Sequence, residues 1–187
     1  VYNGEPKRDW ISREEVASPT VSSESVFITA AVDAKEESDI MSLDIPNAFI
    51  QARLKDEHSG SERVIMKITG VLVDILVQLA PEVYADYVVF ENGKRVLYVE
   101  VIQALYGMLV AAILWYKEFK ASLESIGFKF NPYDPCVANR MVKRHQQTVR
   151  FHVDDLMSSH KYASVNTKFL NWLNKKYGKF GEVVATR

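Results

Sequence analysis

Residues 148–159 read Thr-Val-Arg-Phe-His-Val-Asp-Asp-Leu-Met-Ser-Ser. Two runs with extended character, 148–153 and 156–159, flank the pair Asp154-Asp155. Valine, threonine and phenylalanine suit a pleated, half-buried surface, so the stretch predicts a hairpin with two carboxylates at its tip. Adjacent carboxylates repel, and each raises the pKa of the other. A divalent cation removes that penalty, and Mg²⁺ favours a few carboxylates together with substrate phosphates. A solvated turn is the plainer reading of an Asp-Asp pair, and the residues alone leave both open.

Working outward, 137–142 reads as a strand joined to the hairpin through a turn at 143–147. A helix over 165–177 follows, with Phe169, Trp172 and Leu173 on its core side, and then a strand over 180–184. Upstream, 110–126 predicts a long helix stopped by Gly127, with Ile113, Leu114, Tyr116, Phe119 and Leu123 at helical spacing. Runs 87–91 and 94–101 enclose Asn92-Gly93, a strong hairpin signal. A helix over 71–79 precedes Pro81, a strand covers 63–68, and 55–62 is a polar loop. Residues 38–45 predict a buried strand through Ile40, Met41, Leu43 and Ile45, ended by Pro46. Asp44 then closes a buried strand, a costly place for a carboxylate without a partner or cation. Ser22 or Ser23 can cap a helix over 22–35 with Val26, Phe27, Ala30, Ala31 and Ala34 on one face. Residues 1–20 read as loop. No internal repeat or linker is visible, and the mixture predicts an α+β fold with helices on an antiparallel sheet.

The chain has 187 residues, 48% of them hydrophobic and 25% charged, enough for a real core. The one cysteine, Cys136, excludes an internal disulfide and reads as a small buried side chain. No stretch reaches the roughly 18 apolar residues of a membrane span, so no membrane partner is expected. An intracellular, cytoplasmic setting is expected instead. The first residue is Val rather than Met, which suggests a piece of a longer protein. Residues 1–93 carry 8 Lys and Arg against 17 Asp and Glu, while 94–187 carry 15 against 7. That asymmetry fits a C-terminal half that meets a polyanion, and equally two solvated faces that attract each other.

Four ordered stretches resemble the reverse transcriptase domain of copia-type retrotransposons. They are Leu43-Asp44-Ile45-Pro46-Asn47-Ala48-Phe49; Ala104-Leu105-Tyr106-Gly107-Met108 with Trp115-Tyr116; Gly127-Phe128 with Tyr133-Asp134-Pro135-Cys136-Val137; and Val153-Asp154-Asp155. The resemblance implies a polymerase palm with partial fingers and a truncated thumb. Residues 1–37 would be partial fingers, 38–160 the palm with a finger insertion around 55–103, and 161–187 the end of the palm and start of the thumb. It implies an RNA-directed DNA polymerase in which Asp44, Asp154 and Asp155 are catalytic and hold two Mg²⁺ ions, with Mn²⁺ able to substitute. The backbone at Ile45 would meet the triphosphate. Phe49 would exclude a ribose 2′-OH, and Gly107 would pass close to the nascent base pair. Without the motif, Phe49 reads as a core aromatic and Gly107 as an ordinary turn.

The implied partners are an RNA or DNA template with its primer, deoxynucleoside triphosphates, and RNase H and integrase domains of the parent polyprotein within a virus-like particle. His152, in place of the box's usual Tyr, would support the primer end. Lys143, Arg144 and Arg150 beside the Asp-Asp hairpin are candidate phosphate contacts, as are Lys175, Lys176 and Lys179. Lys7, Arg8 and Arg13 are the candidates in the short fingers segment. Simple solvation is the alternative for each basic group. Trp10, Trp115 and Trp172 read as packing residues, and His58, His145, His152 and His160 show no metal spacing. Leu109-Val110-Ala111-Ala112 stands where the family has Lys-Gln-Ala-Pro, so a Gln near the nucleotide is missing. The rival expectation is an inert, decayed element fragment that keeps the palm fold and at most binds nucleic acid.

Overall fold

A computed structural model describes residues 17–54 and 63–187. Lys7, Arg8, Arg13, Trp10, His58 and the loop at 55–62 lie outside the described residues. The protein is α+β, built on antiparallel sheets, and forms two compact units: one of Val1–Ala52 with Ala104–Arg187, the other of Arg53–Gln103.

The larger unit begins with α1 (Ser23–Glu36) and β1 (Asp39–Asp44), then the short α2 (Ala48–Gln51). After Ala104 come α5 (Ala111–Ser125), β5 (Lys129–Phe130), β6 (Val137–Val142), β7 (His145–His152), β8 (Asp155–His160), α6 (Ala163–Tyr177) and β9 (Val184–Thr186). A six-stranded sheet runs β5-β6-β7-β8-β1-β9, with every pairing antiparallel.

Alternation along the strands separates the two faces of this sheet. Phe151 meets Phe119 of α5 edge-on at 5.1 Å, and Gln147 reaches Asn166 of α6, so α5 and α6 cover one face. The same helices join each other where the Tyr177 hydroxyl donates to Ser122 Oγ at 2.7 Å. Arg150, of opposite parity, pairs with Asp33 of α1. The helices are therefore not confined to one face, because α1 packs on the other.

Three expectations change here. In β1 only Met41 and Leu43 are buried, while Ile40 and Asp44 are exposed, so the strand is half-buried. On α1 most of the expected apolar face stays in solvent: Val26 is half-buried, but Phe27 is 73% exposed and Ala30, Ala31 and Ala34 are exposed too. The one buried residue of that helix is Asp33, drawn in by Arg150. At the C-terminal end, 178–180 forms a 3₁₀ turn and the last strand starts only at Val184.

The smaller unit contains β2 (Ile65–Thr69), α3 (Val71–Leu79), α4 (Pro81–Tyr84), β3 (Val88–Glu91) and β4 (Lys94–Glu100), with strand order β2-β4-β3. The β3–β4 turn is Asn92-Gly93, with φ of 50° and 74°. Two consecutive left-handed residues match the twist of a two-residue hairpin. Val73, Val96 and Leu97 are buried, and Arg95 pairs with Asp74 of α3.

Candidate active site

The β7–β8 register closes on the pair His152–Asp155, which leaves Val153 and Asp154 as the two turn residues. Val153 has φ 59°. Two-residue hairpins commonly place a glycine in such a left-handed position; a β-branched residue there is strained. Two bonds from other elements hold the turn. The Trp115 indole N–H of α5 donates to the Val153 carbonyl at 2.7 Å, and the Ile45 N–H donates to the Asp154 carbonyl at 3.2 Å.

The β1–β8 register then sets Asp44 directly opposite Asp155. His152, Asp155 and Asp44 thus form one row across three strands, on the face away from α5 and α6. Like charges directly opposite in an antiparallel pair destabilise it. Burial, then the charge of Asp154, then that of Asp155 raise the pKa of Asp44. A shallow cavity of about 180 Å³ beside the row is lined by His152, Asp155, Ser42 and Val26, among others.

Among the described residues, none of the three carboxylates has a hydrogen-bond donor or a cationic partner. Nor is any group of three or more His, Cys, Asp or Glu gathered closely enough there to hold a metal ion. The set is one of neighbouring, uncompensated negative charges. Carboxylate oxygens are the donors that a hard divalent cation such as Mg²⁺ takes.

Phe49 follows β1 in α2, and its ring lies 4.7 Å from that of Tyr106, tilted by 47°. Burial, then the charges of Asp154 and Asp44, raise the pKa of the Tyr106 phenol. The Asp44–Phe49 stretch, the Tyr106-Gly107 turn and the Asp-Asp hairpin therefore meet at one end of the sheet. Gly107 has φ 92°, a conformation open mainly to glycine. No model of a known protein family, no curated protein sequence and no solved structure matches the chain.

Four expected site residues lie elsewhere or are already engaged. Arg150 is 4% exposed, donates to Asp33 at 2.9 Å and lies against the Met157 sulfur, so it is no surface phosphate contact. Lys143 and Arg144 form the β6–β7 turn, with φ of 50° and 67°. The eight residues of β7 separate them from the Asp-Asp turn, roughly 25 Å along a strand. The Ile45 side chain is buried and its N–H is engaged by Asp154, so that N–H is not open to a triphosphate.

Two residues that reading the sequence left without a role at the site are Tyr106 and Trp115. Both lie in quoted motif segments. Their work is non-local: Tyr106 backs Phe49, and Trp115 fixes the carboxylate turn from beneath.

Proposed function

We propose that the chain is the palm-bearing part of a reverse transcriptase, an RNA-directed DNA polymerase of the copia-type retroelement kind. One observation carries the reading: the register that sets Asp44 opposite Asp155, beside the Asp154 turn, with no neutralising cation among the described residues. The four ordered sequence segments support it, as does the meeting of Asp44, Phe49, Tyr106 and Asp154. The compact unit Arg53–Gln103, set between two parts of the larger unit in the chain, supports a finger insertion in a palm.

In this reading a primer 3′-OH attacks the α-phosphate of a deoxynucleoside triphosphate in line. The new P–O bond forms as the bond to pyrophosphate breaks, and pyrophosphate leaves. Catalysis of this kind is mostly positioning and charge stabilisation. Asp44, Asp154 and Asp155 are the residues that would hold Mg²⁺ or Mn²⁺. Such ions, when bound, neutralise phosphate charge and acidify the attacking hydroxyl. Phe49, backed by Tyr106, presents a bulky wall against a ribose 2′-OH. Gly107 keeps a Cβ away from the nucleotide, and His152, in the Asp155 row, is placed for the primer end. Template and primer are the polymeric partners, and RNase H and integrase belong to the parent polyprotein.

Primer extension on an RNA template with Mg²⁺ or Mn²⁺ tests the reading. Asp154→Asn should lower incorporation by roughly 100-fold or more; equal incorporation by both proteins sinks the assignment. An inert palm that at most binds nucleic acid is the second reading. Leu109-Val110-Ala111-Ala112, in place of Lys-Gln-Ala-Pro, favours it. Mn²⁺ titration with nucleotide present separates the two, because an inert palm shows no binding that depends on Asp44 or Asp154.

A further inference from the structure

The Tyr133 ring is 95% exposed. Among the described residues its ring and hydroxyl have no hydrogen-bond, ion-pair or ring partner. Folding therefore gains almost nothing from this aromatic side chain.

The backbone that carries the ring is nevertheless tied down on every side. The Asn131 N–H donates to the Val137 carbonyl at 2.8 Å, and the Val137 N–H donates to the Asp134 carbonyl at 3.1 Å. The Tyr133 N–H donates to Asn131 Oδ1 at 2.8 Å. The Asp134 carboxylate turns inward onto the Ser22 and Cys136 N–H groups, and the Tyr116 hydroxyl of α5 donates to the Pro135 carbonyl at 3.1 Å. Pro132 and Pro135 fix their own φ as well. A bare ring on so constrained a loop is preorganised, and a ligand that meets it pays little ordering entropy.

The place of the loop matters. The β5–β6 connection follows Phe130 and precedes Val137, which pairs with Arg150, so it closes at the same end of the sheet as the Val153-Asp154 turn. The two turns lie two strand spacings apart, roughly 10 Å between their backbones. On α5, Lys120 stands one helical turn beyond Tyr116, its ammonium 5.2 Å from the centre of the Phe130 ring, and it has no carboxylate partner among the described residues. An open aromatic face, a neighbouring cation and a loop acid that points inward suit a base on a negatively charged backbone.

We infer that Tyr133 is a stacking platform for an unpaired base of single-stranded nucleic acid beside the carboxylate end of the sheet. A base inside a duplex has both faces covered, so the occupant is single-stranded. The inference rests on the polymerase reading only in naming a nucleic acid as the occupant.

Fluorescence anisotropy with a labelled oligothymidylate of about 12 nucleotides, in low salt with EDTA and no nucleotide, tests it. Wild type should saturate with a Kd no weaker than roughly 10⁻⁴ M. Tyr133→Ala should weaken binding about fivefold or more, and Tyr133→Phe, which keeps the ring and loses the hydroxyl, should stay within about twofold of wild type. The side chain touches nothing in the fold, so both variants keep it. Absence of saturation by wild type overturns the inference. So does binding indifferent to Tyr133→Ala, or a loss with Tyr133→Phe as large as with Ala. The assay needs no metal or turnover, so the two readings fail separately. Binding that depends on Tyr133 in a protein that extends no primer supports the platform and counts against the polymerase; primer extension with binding indifferent to Tyr133 does the reverse.

Discussion

The indole N–H of Trp115 donates to the carbonyl of Val153 across 2.7 Å, tying the second turn of α5 to the residue before the Asp154-Asp155 pair. Val153 holds φ 59°, where a β-branched side chain costs about 1–3 kcal/mol. The bond is one of two that hold this turn in place. Trp115→Phe keeps most of the buried ring and removes the donor. It should destabilise the protein by about 1–2 kcal/mol, lowering Tm by roughly 2–6 °C. Val153→Gly in the same background should restore part of that loss, because glycine occupies positive φ without strain. A Tm within about 1 °C of wild type for Trp115→Phe would show that the bond does not hold the turn.

Asp33 and Arg150 form an ion pair in which both partners are almost fully buried, 5% and 4% exposed. Removing one partner strands the other charge in a poorly solvated site, at a cost of about 3–5 kcal/mol. Asp33→Ala should therefore unfold at markedly lower urea than wild type. Replacing both, as Asp33→Leu with Arg150→Met, should cost much less than the two single changes added together. Additivity in that double-mutant cycle would show that the two residues act independently.

Local chemistry explains which elements could be read from sequence. Helix 71–79 and strand 137–142 appear over the residues their periodicity marks, and Asn92-Gly93 turns the expected hairpin, because turn and period signals act within a few positions. The start of β7 was hidden. Gln146 and Gln147 look like turn residues, yet Gln147 is fully buried and bonded to Ser158, Asn166 and Arg140, so amides rather than apolar groups satisfy that position. Burial on α1 was unreadable for a similar reason. Its inward residue is a carboxylate whose partner lies 117 positions away. At the candidate site, motif spacing marked Asp44, Phe49 and Asp154. The contacts of Tyr106 and Trp115 depend on how distant segments meet, and a single sequence does not carry that.

Asp134 links the Asp-Pro-Cys-Val stretch to the start of α1. Its carboxylate accepts from the Ser22 N–H and the Cys136 N–H, each at 2.9 Å. Burial pushes its pKa up. Hydrogen bonds from the Ser25 side chain, the Ser22 and Cys136 backbones and the Ser22 hydroxyl outweigh that and hold it below the ordinary value. A carboxylate with a depressed folded-state pKa adds stability above its unfolded value of 3.8, and that stability disappears as pH falls through the folded value. Asp134→Ala should cost about 1–3 kcal/mol at neutral pH. Urea titrations should show the difference from wild type shrinking below about pH 4. A difference that is constant down to pH 2 would assign the effect to packing rather than to the ionised carboxylate.

Asp44 behaves in the opposite sense. Burial and the charges of Asp154 and Asp155 raise its folded-state pKa, so the native chain holds that proton to higher pH than the unfolded chain does. Stability then falls as pH climbs from the unfolded value of 3.8 through the raised folded value, and the deficit persists above it. Asp44→Asn removes the deficit at pH 7. The side chain is exposed, so solvent screens the repulsion. Exposed pairs interact by about 0.2–1 kcal/mol, which corresponds to a Tm rise of roughly 1–3 °C at low ionic strength. The gain should shrink in about 0.5 M salt, where the Debye length falls to a few ångströms. Calorimetry at pH 7 and pH 3 checks both signs, because the two proteins should converge once Asp44 is protonated in both states. Added Mg²⁺ should then raise the Tm of wild type more than that of Asp44→Asn, since only wild type keeps all three carboxylates for the ion to neutralise. An Asp44→Asn protein no more stable than wild type at low salt would mean that the three carboxylates do not repel one another. The charge argument for a cation at this end of the sheet would then fail.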